Sequence, residues 1–198
     1  MWAPCRMTRL ALLAMVISAL ASPAYAQRVT FSKITDAVGK KFFNPATTAP
    51  DPLNPNRLII RVHSGMDWTV SKGTEFRASS TAFSYTSAMD TIRFKVTAPA
   101  GYYIAKITYT QRGVGTAVRT GKVSGAAHWV VADVVSNIGT FSTTPGLSRT
   151  IDLTGRNLTS VPVSITASLF AFATPQGGAA TLQLIGADVH VQLLKLVK

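Results

Sequence analysis

The sequence predicts an all-β fold, a two-sheet antiparallel β-sandwich of Ig-like or jelly-roll-like type, behind a leader that is cleaved off. Three observations predict it. First, beyond residue 26 the apolar residues return at every second position, as in "RLIIRVH", "DTIRFKVTA" and "YYIAKITYTQR". Successive side chains on a pleated strand point to opposite faces, so a period of two sets one face against a core and the other in water. Second, Pro and Gly punctuation recurs at intervals of roughly 8 to 15 residues, the rhythm of short strands joined by tight connections. Third, no segment after the leader holds a 3.6-residue apolar period for the length of a long helix.

Residues 1–26 have the layout of an export signal. Arg6 and Arg9 form a basic start, and Leu10 to Ala21, "LALLAMVISALA", is an apolar run of twelve residues. At about 1.5 Å per helical residue this run is too short for a hydrocarbon core of roughly 30 Å. Pro23 breaks the helix, and Ala24-Tyr25-Ala26 gives the small-x-small pattern a signal peptidase accepts, leaving Gln27 as the new N-terminus. The chain is thus expected to be exported, to the periplasm or the outside of a Gram-negative bacterium, with no membrane span in its mature form. Cys5, its one cysteine, precedes the apolar run and leaves with the leader. That position rules out an acyl anchor, and a cysteine-free mature chain excludes disulfides, thiol catalysis and Cys-ligated zinc. Removing 26 of 198 residues leaves 172, enough to bury roughly 70% of the unfolded surface as one domain.

The mature chain divides into an N-terminal segment with a proline-rich arm, 27–56, and a sandwich domain, 57–198. Val29-Thr30-Phe31 opens with a short alternation, and "KITDAVGKKFF" reads as a brief helix or a loop. "NPATTAPDPLNPNR" holds Pro45, Pro50, Pro52 and Pro55; each removes an N–H and keeps its predecessor extended, which marks an arm or linker. Leu58, Ile60 and Val62 then face one way, with Arg57, Arg61 and His63 opposite. Ile92, Phe94 and Val96 point inward while Arg93 and Lys95 point out. Tyr103, Ala105, Ile107 and Tyr109 share a face, with Tyr102, Lys106, Thr108 and Thr110 on the other. "AAHWVVADVV" is apolar on both faces, as a strand covered from both sides would be. Leu147, Ile151 and Leu153 follow inward, then Val161, Val163, Ile165, Ala167 and Leu169. Leu182, Leu184, Val189, Val191 and Leu193 close the chain, with Gly186 marking a bulge.

Charge narrows the partners. Without Arg6 and Arg9, the 20 basic residues fall to 18 against 8 acids, a formal +10. Such a field attracts anions. For an exported protein these are envelope anions such as lipopolysaccharide, acidic polysaccharide or teichoic-type polymers; nucleic acid is not expected. The tentative ligand-binding residues are Trp68 in "GMDWTVSKG", Tyr102, and the Arg112, Arg119 and Lys122 of "RGVGTAVRTGK". An aromatic can stack on a sugar ring, and clustered bases can hold an anion. The same residues equally fit the solvated side of a sheet.

No catalytic motif stands out in the chain. No G-x-S-x-G elbow occurs, and Glu75 is the one Glu among seven scattered Asp, against the close carboxylate pair of glycosidases. Asp188 and His190 are two apart on a strand and share a face, but a metal centre needs three or four ligands. No catalytic residue, metal or cofactor is therefore assigned.

The run "IRFKVTAPAGYYIAKITYTQRGVG" resembles a strand-turn-strand of exported Gram-negative β-sandwich proteins that often end in a PEP-CTERM sorting tail. The resemblance covers about 25 residues and implies a hairpin and no enzymatic role. The tail itself is missing from "DVHVQLLKLVK". The resulting expectation is an exported, non-enzymatic sandwich that binds or structures the cell envelope. Beside it stand a carbohydrate- or anionic-polymer-binding module and, as a third reading, a hydrolase built on Asp188 and His190.

Overall fold

The computed structural model describes residues 28–38, 43–62, 74–79, 84–119, 121–141, 147–173 and 179–197. The leader, Trp68 and His63 lie outside the described residues. Everything regular within them is strand, and the strands form two antiparallel sheets. Sheet I runs β1 (Thr30–Val38), β5 (Ser84–Thr97), β10 (Ser160–Ala173), β7 (Lys122–Val131), β8 (Val134–Phe141). Sheet II runs β2 (Ala49–Pro50), β3 (Arg57–Ile60), β11 (Ala179–Lys195), β6 (Tyr102–Val118), β9 (Leu147–Asp152). The strand β4 (Thr74–Ser79) pairs with the first half of β11, and β3 with its second half.

Setting β1 to β3 aside, the other eight strands lie in the orders β4-β11-β6-β9 and β5-β10-β7-β8. Counted from one to eight this is 1-8-3-6 over 2-7-4-5, the strand order of a jelly roll, which decides between the two sandwich types the pattern left open. No helix among the described residues is long and apolar enough to cross a membrane.

The core sits between the sheets and is assembled by the alternation. In β10 every second residue from Val161 to Ala173 is buried while the residues between them are not. Ile92, Phe94 and Val96 of β5, Ile107 and Tyr109 of β6, and Val189 and Val191 of β11 complete it. Trp129 of β7 meets Tyr109 across the gap, ring centroids 6.0 Å apart, and both are fully buried. The Tyr109 hydroxyl donates to Gln111 Oε1 at 2.7 Å, so its polar end is satisfied inside the core. Burial pushes the Tyr109 phenol far above its usual pKa, and the nearby Asp188 charge adds to that.

Several expectations need correction. "KITDAV" is neither helix nor loop but most of β1, hydrogen-bonded along the edge of β5 from Thr30↔Thr97 to Val38↔Thr91. An unpaired strand edge offers a backbone partner that outweighs a weak local preference, and Phe31 packs edge-on against Phe94. The proline-rich arm lies along the edge of sheet II, where Ala49 and Pro50 pair with Ile59 and Leu58. Phe43 is fully buried, its N–H donates to Asp90 Oδ2 at 2.8 Å, and Asp51 N–H donates to the Arg57 carbonyl. "AAHWVVADVV" is two strands: the chain reverses at Ala132-Asp133, where Ala132 takes φ 55° and Val131 pairs with Val134. Two-residue hairpin loops need left-handed backbone, and Ala132 gives no sign of that in the sequence. The covered-on-both-sides reading fails with it, since His128 is exposed opposite buried Trp129.

The run from Ile92 to Gly115 is not a hairpin within one sheet. The connection Pro99-Ala100-Gly101 carries the chain from sheet I to sheet II, turning with a Tyr102 N–H to Pro99 carbonyl bond and Gly101 at φ 81°. The strand β6 then lies inside sheet II between β11 and β9. Gly113-Val114-Gly115 does not turn but pairs with Leu184, Gln183 and Leu182 of β11. The chain returns to sheet I past Gly121, where a Cβ would fall 2.0 Å from the Ala179 carbonyl oxygen, so no other residue fits. Alternation also slips once in β6. The register shifts between Gln192 and Leu193, and this bulge carries Ile104 into the core with Leu193. Tyr102 is in phase with Ile104, not with Lys106 as the unbroken alternation predicts.

Candidate functional site

The residues proposed from the sequence do not converge. Tyr102 starts β6 and Arg112 lies ten residues along it, roughly 33 Å at the usual strand rise. Arg119 and Lys122 flank the crossing to sheet I, about 23 Å further for Arg119. Arg112 faces outward on sheet II, while Lys122 pairs with Phe172 on the outer face of sheet I. Trp68 lies outside the described residues. Asp188 and His190 share the outer face of sheet II, as the alternation predicts, but Asp188 Oδ2 accepts from Arg57 Nη2 at 3.0 Å and Arg112 Nη2 at 2.9 Å, and His190 is exposed. Among the described residues no group of three or more His, Cys, Asp or Glu could hold a metal.

Two other places gather chemistry. The larger is a shallow concavity of about 450 Å³ on the outer face of sheet I. Its position follows from register. Thr35, Arg93, Ser164 and Val130 lie side by side across β1, β5, β10 and β7, and the next row holds Ser32, Lys95 and Pro162. Directly paired residues share a face, so Arg93 and Lys95, two apart on β5, project on the same side. Lys33, at φ 53° in the bulge between Ser32 and Thr35, completes the rim. The lining thus holds three cations, the hydroxyls of Thr35 and Ser164, and an apolar floor with Val130, Ala132 and Pro162; no acid lines it. None of the three cations pairs with a carboxylate among the described residues. Four strands at about 4.8 Å spacing make the face about 14 Å wide.

The outer face of sheet II is organised differently. Arg57 bridges Asp51 at 3.3 Å and Asp188 at 3.0 Å, Arg112 reaches Asp188, and Lys106 pairs with Asp152 at 3.3 Å. The hydrogen bond that Arg57 donates to Asp188, first, and the charge of Asp188 hold the Arg57 guanidinium still more firmly protonated. Beside the ion pairs runs a ladder of hydroxyls, Thr108 with Thr150 at 2.8 Å and Thr110 with Ser148 at 3.1 Å. Where Gly186 interrupts β11, a cleft of about 160 Å³ opens between Arg57, Arg61, Arg112 and Asp188.

Alternation puts Arg93 and Lys95 outward but assigns them no role, because most of their partner strand β1, from Lys33 on, carries no strand pattern in the sequence. The signal that could have found the site was the Ser32-x-x-Thr35 spacing opposite Lys95 and Arg93, which has meaning only once β1 is paired with β5.

No family model matches the chain, and no curated protein sequence matches it. Among solved structures the chain is similar to TmCBM61 in complex with β-1,4-galactotriose, with 12% identity over 87% of this chain and 90% of that one and a TM-score of 0.27. It is also similar to the cowpea mosaic virus top component, naturally occurring empty particles, with 11% identity over 88% and 81% and a TM-score of 0.22. Infectious bursal disease virus Gt strain follows at 9% identity over 87% and 58%, TM-score 0.19. At scores this low the fold rests on the hydrogen-bonded strand order and not on the likeness.

Proposed function

We propose that the chain is an exported, non-catalytic binding module that holds an extended anionic polymer, an acidic polysaccharide of the cell envelope, on the outer face of sheet I. The observation that carries the reading is the concavity lined by Lys33, Arg93 and Lys95 without an acid. A groove four strands wide suits a stretch of polymer better than a lone ion. Its hydroxyls can bond sugar oxygens, and its cations can meet carboxylates or sulfates. No aromatic ring stands exposed among its lining residues, so charge and not ring stacking would select the ligand. The export signal supports placement where such polymers occur.

The test is binding of polygalacturonate to mature protein, with the triple variant Lys33→Ser, Arg93→Ser, Lys95→Ser beside it. Exposed ion pairs contribute up to about 1 kcal/mol each, so losing three weakens binding roughly a hundredfold. Screening at high salt weakens wild-type binding in the same direction. Polymer binding equal in wild type and triple variant would overturn the reading. A mature N-terminus other than Gln27 would overturn its export arm.

A further inference from the structure

We propose a second ligand site, for a single oxyanion group, in the cleft at the Gly186 bulge on the outer face of sheet II. It is independent of the polymer site, which lies on the opposite sheet. The cleft holds about 160 Å³, a third of the sheet I concavity, and so fits one charged substituent and not a polymer stretch. Its opening comes from the backbone: the register shifts between Leu184 and Gly186, and Gly186 offers no side chain to fill the space beside the Ile60 carbonyl. Ile59 and half-exposed Ile185 form apolar walls, and Arg57, Arg61 and Arg112 supply the cations.

Charge and donor count argue for an anion there. Among the described residues the carboxylates beside the cleft are Asp51 and Asp188, two against three guanidiniums, which leaves one positive charge over. Asp51 is fully committed, Oδ1 to the Leu53 N–H and Oδ2 to Arg57. Asp188 takes one N–H from Arg57 and one from Arg112. Each guanidinium carries five N–H donors in a planar fork, so most of that donor capacity stays open after the ion pairs form. Arg61 has no carboxylate partner among the described residues; its backbone is held, the N–H by Thr48 Oγ1 at 3.1 Å and the carbonyl by the Asn44 N–H at 2.8 Å. Planar guanidiniums bind sulfate, phosphate and carboxylate through paired N–H···O bonds. Asp188 acts as a positioning residue, fixing Arg57 and Arg112 while staying almost covered itself at 12% side-chain exposure. Arg61 is the recruiting cation.

The experiment titrates inorganic phosphate into mature protein at matched ionic strength with chloride as control, following backbone amide shifts. A monosaccharide 6-phosphate is titrated in parallel. Saturable shifts at Ile59, Ile185, Gly186 and Asp188 are expected. Equal affinity for the two probes assigns the free ion, and tighter binding of the sugar ester assigns a substituent of a larger ligand. Arg61→Ser, at an exposed position outside the ion pairs, should fold normally and lose about tenfold in affinity. Arg61→Lys should recover part of it, because charge returns without the fork. The Lys33/Arg93/Lys95 variant should bind phosphate as wild type does, which separates failure here from failure of the polymer site. Shifts that chloride reproduces, or phosphate binding unchanged in Arg61→Ser, would overturn the proposal.

Discussion

The two outer faces of the sandwich carry similar cations in opposite company. On sheet I, Lys33, Arg93 and Lys95 stand among hydroxyls and apolar groups, with no acid in the concavity they line. On sheet II, Arg57, Arg112 and Lys106 each meet an aspartate, and threonine and serine hydroxyls bond one another across β6 and β9. The chain's formal +12 therefore says little about where an anion would settle. Placement of the few acids decides that. Asp51, Asp152 and Asp188 offset most of the charge on one face, leaving Arg61 over, and the other keeps its field.

The comparison presumes that both faces ride on one core, and the largest expected effect breaks that. Trp129→Ala removes the ring that meets Tyr109 across the sheets and should cost about 3–5 kcal/mol. One cooperative thermal transition, shifted as a whole, is expected; two separate transitions would mean that the faces fold independently. Next in size, the sheet I triple variant loses about 3 kcal/mol of polymer affinity, while its stability should stay within about 0.5 kcal/mol of wild type, because these are exposed side chains. Calorimetric binding and urea unfolding measure the two.

A smaller change sharpens the contrast by erasing it. Asp188→Ala releases Arg57 and Arg112 from their shared carboxylate, and should destabilise by about 1–2 kcal/mol, less than a deeply buried pair because both arginines reach solvent. It should also make sheet II a competing polymer face, visible as new amide shifts on β11. The smallest effect is on acid stability. Asp133 is held below the usual carboxylate range by its hydrogen bond from Arg156, and Asp152 by the hydrogen bond from Thr154 before its pairing with Lys106. A lowered native pKa stabilises the fold above the unfolded value of about 3.9 and loses that contribution as pH falls through the native value. Both groups are fully exposed, so the double variant Asp133→Asn, Asp152→Asn should show only a slightly flatter stability profile below about pH 4.

Legibility in the sequence followed the regularity of the backbone. The strand β10 could be read residue by residue, because an uninterrupted pleat converts alternation directly into burial. The same rule placed Ile92, Phe94 and Val96. It failed wherever the backbone departs from the pleat. Ala132 turns without Gly or Asn, the bulge in β6 moves Ile104 inward and takes Tyr102 out of phase with Lys106, and the Gly113 to Gly115 run, which looks like a turn, stays in strand. Neither site was legible for a further reason. The sheet I concavity joins Lys33 to Arg93 and Lys95 through a pairing sixty residues apart in the chain, and the Gly186 cleft joins Arg57 to Asp188 over a sequence separation of 131. No local pattern encodes such meetings; they arise from strand order.

The most direct measurement is an amide-shift map of mature protein titrated with polygalacturonate at low and at high salt. The account expects salt-sensitive shifts along Ser32, Thr35, Arg93, Lys95, Ser164 and Val130, with the Thr108, Thr110, Ser148 and Thr150 ladder unmoved. Shifts concentrated on that ladder, or shifts indifferent to salt, would contradict it.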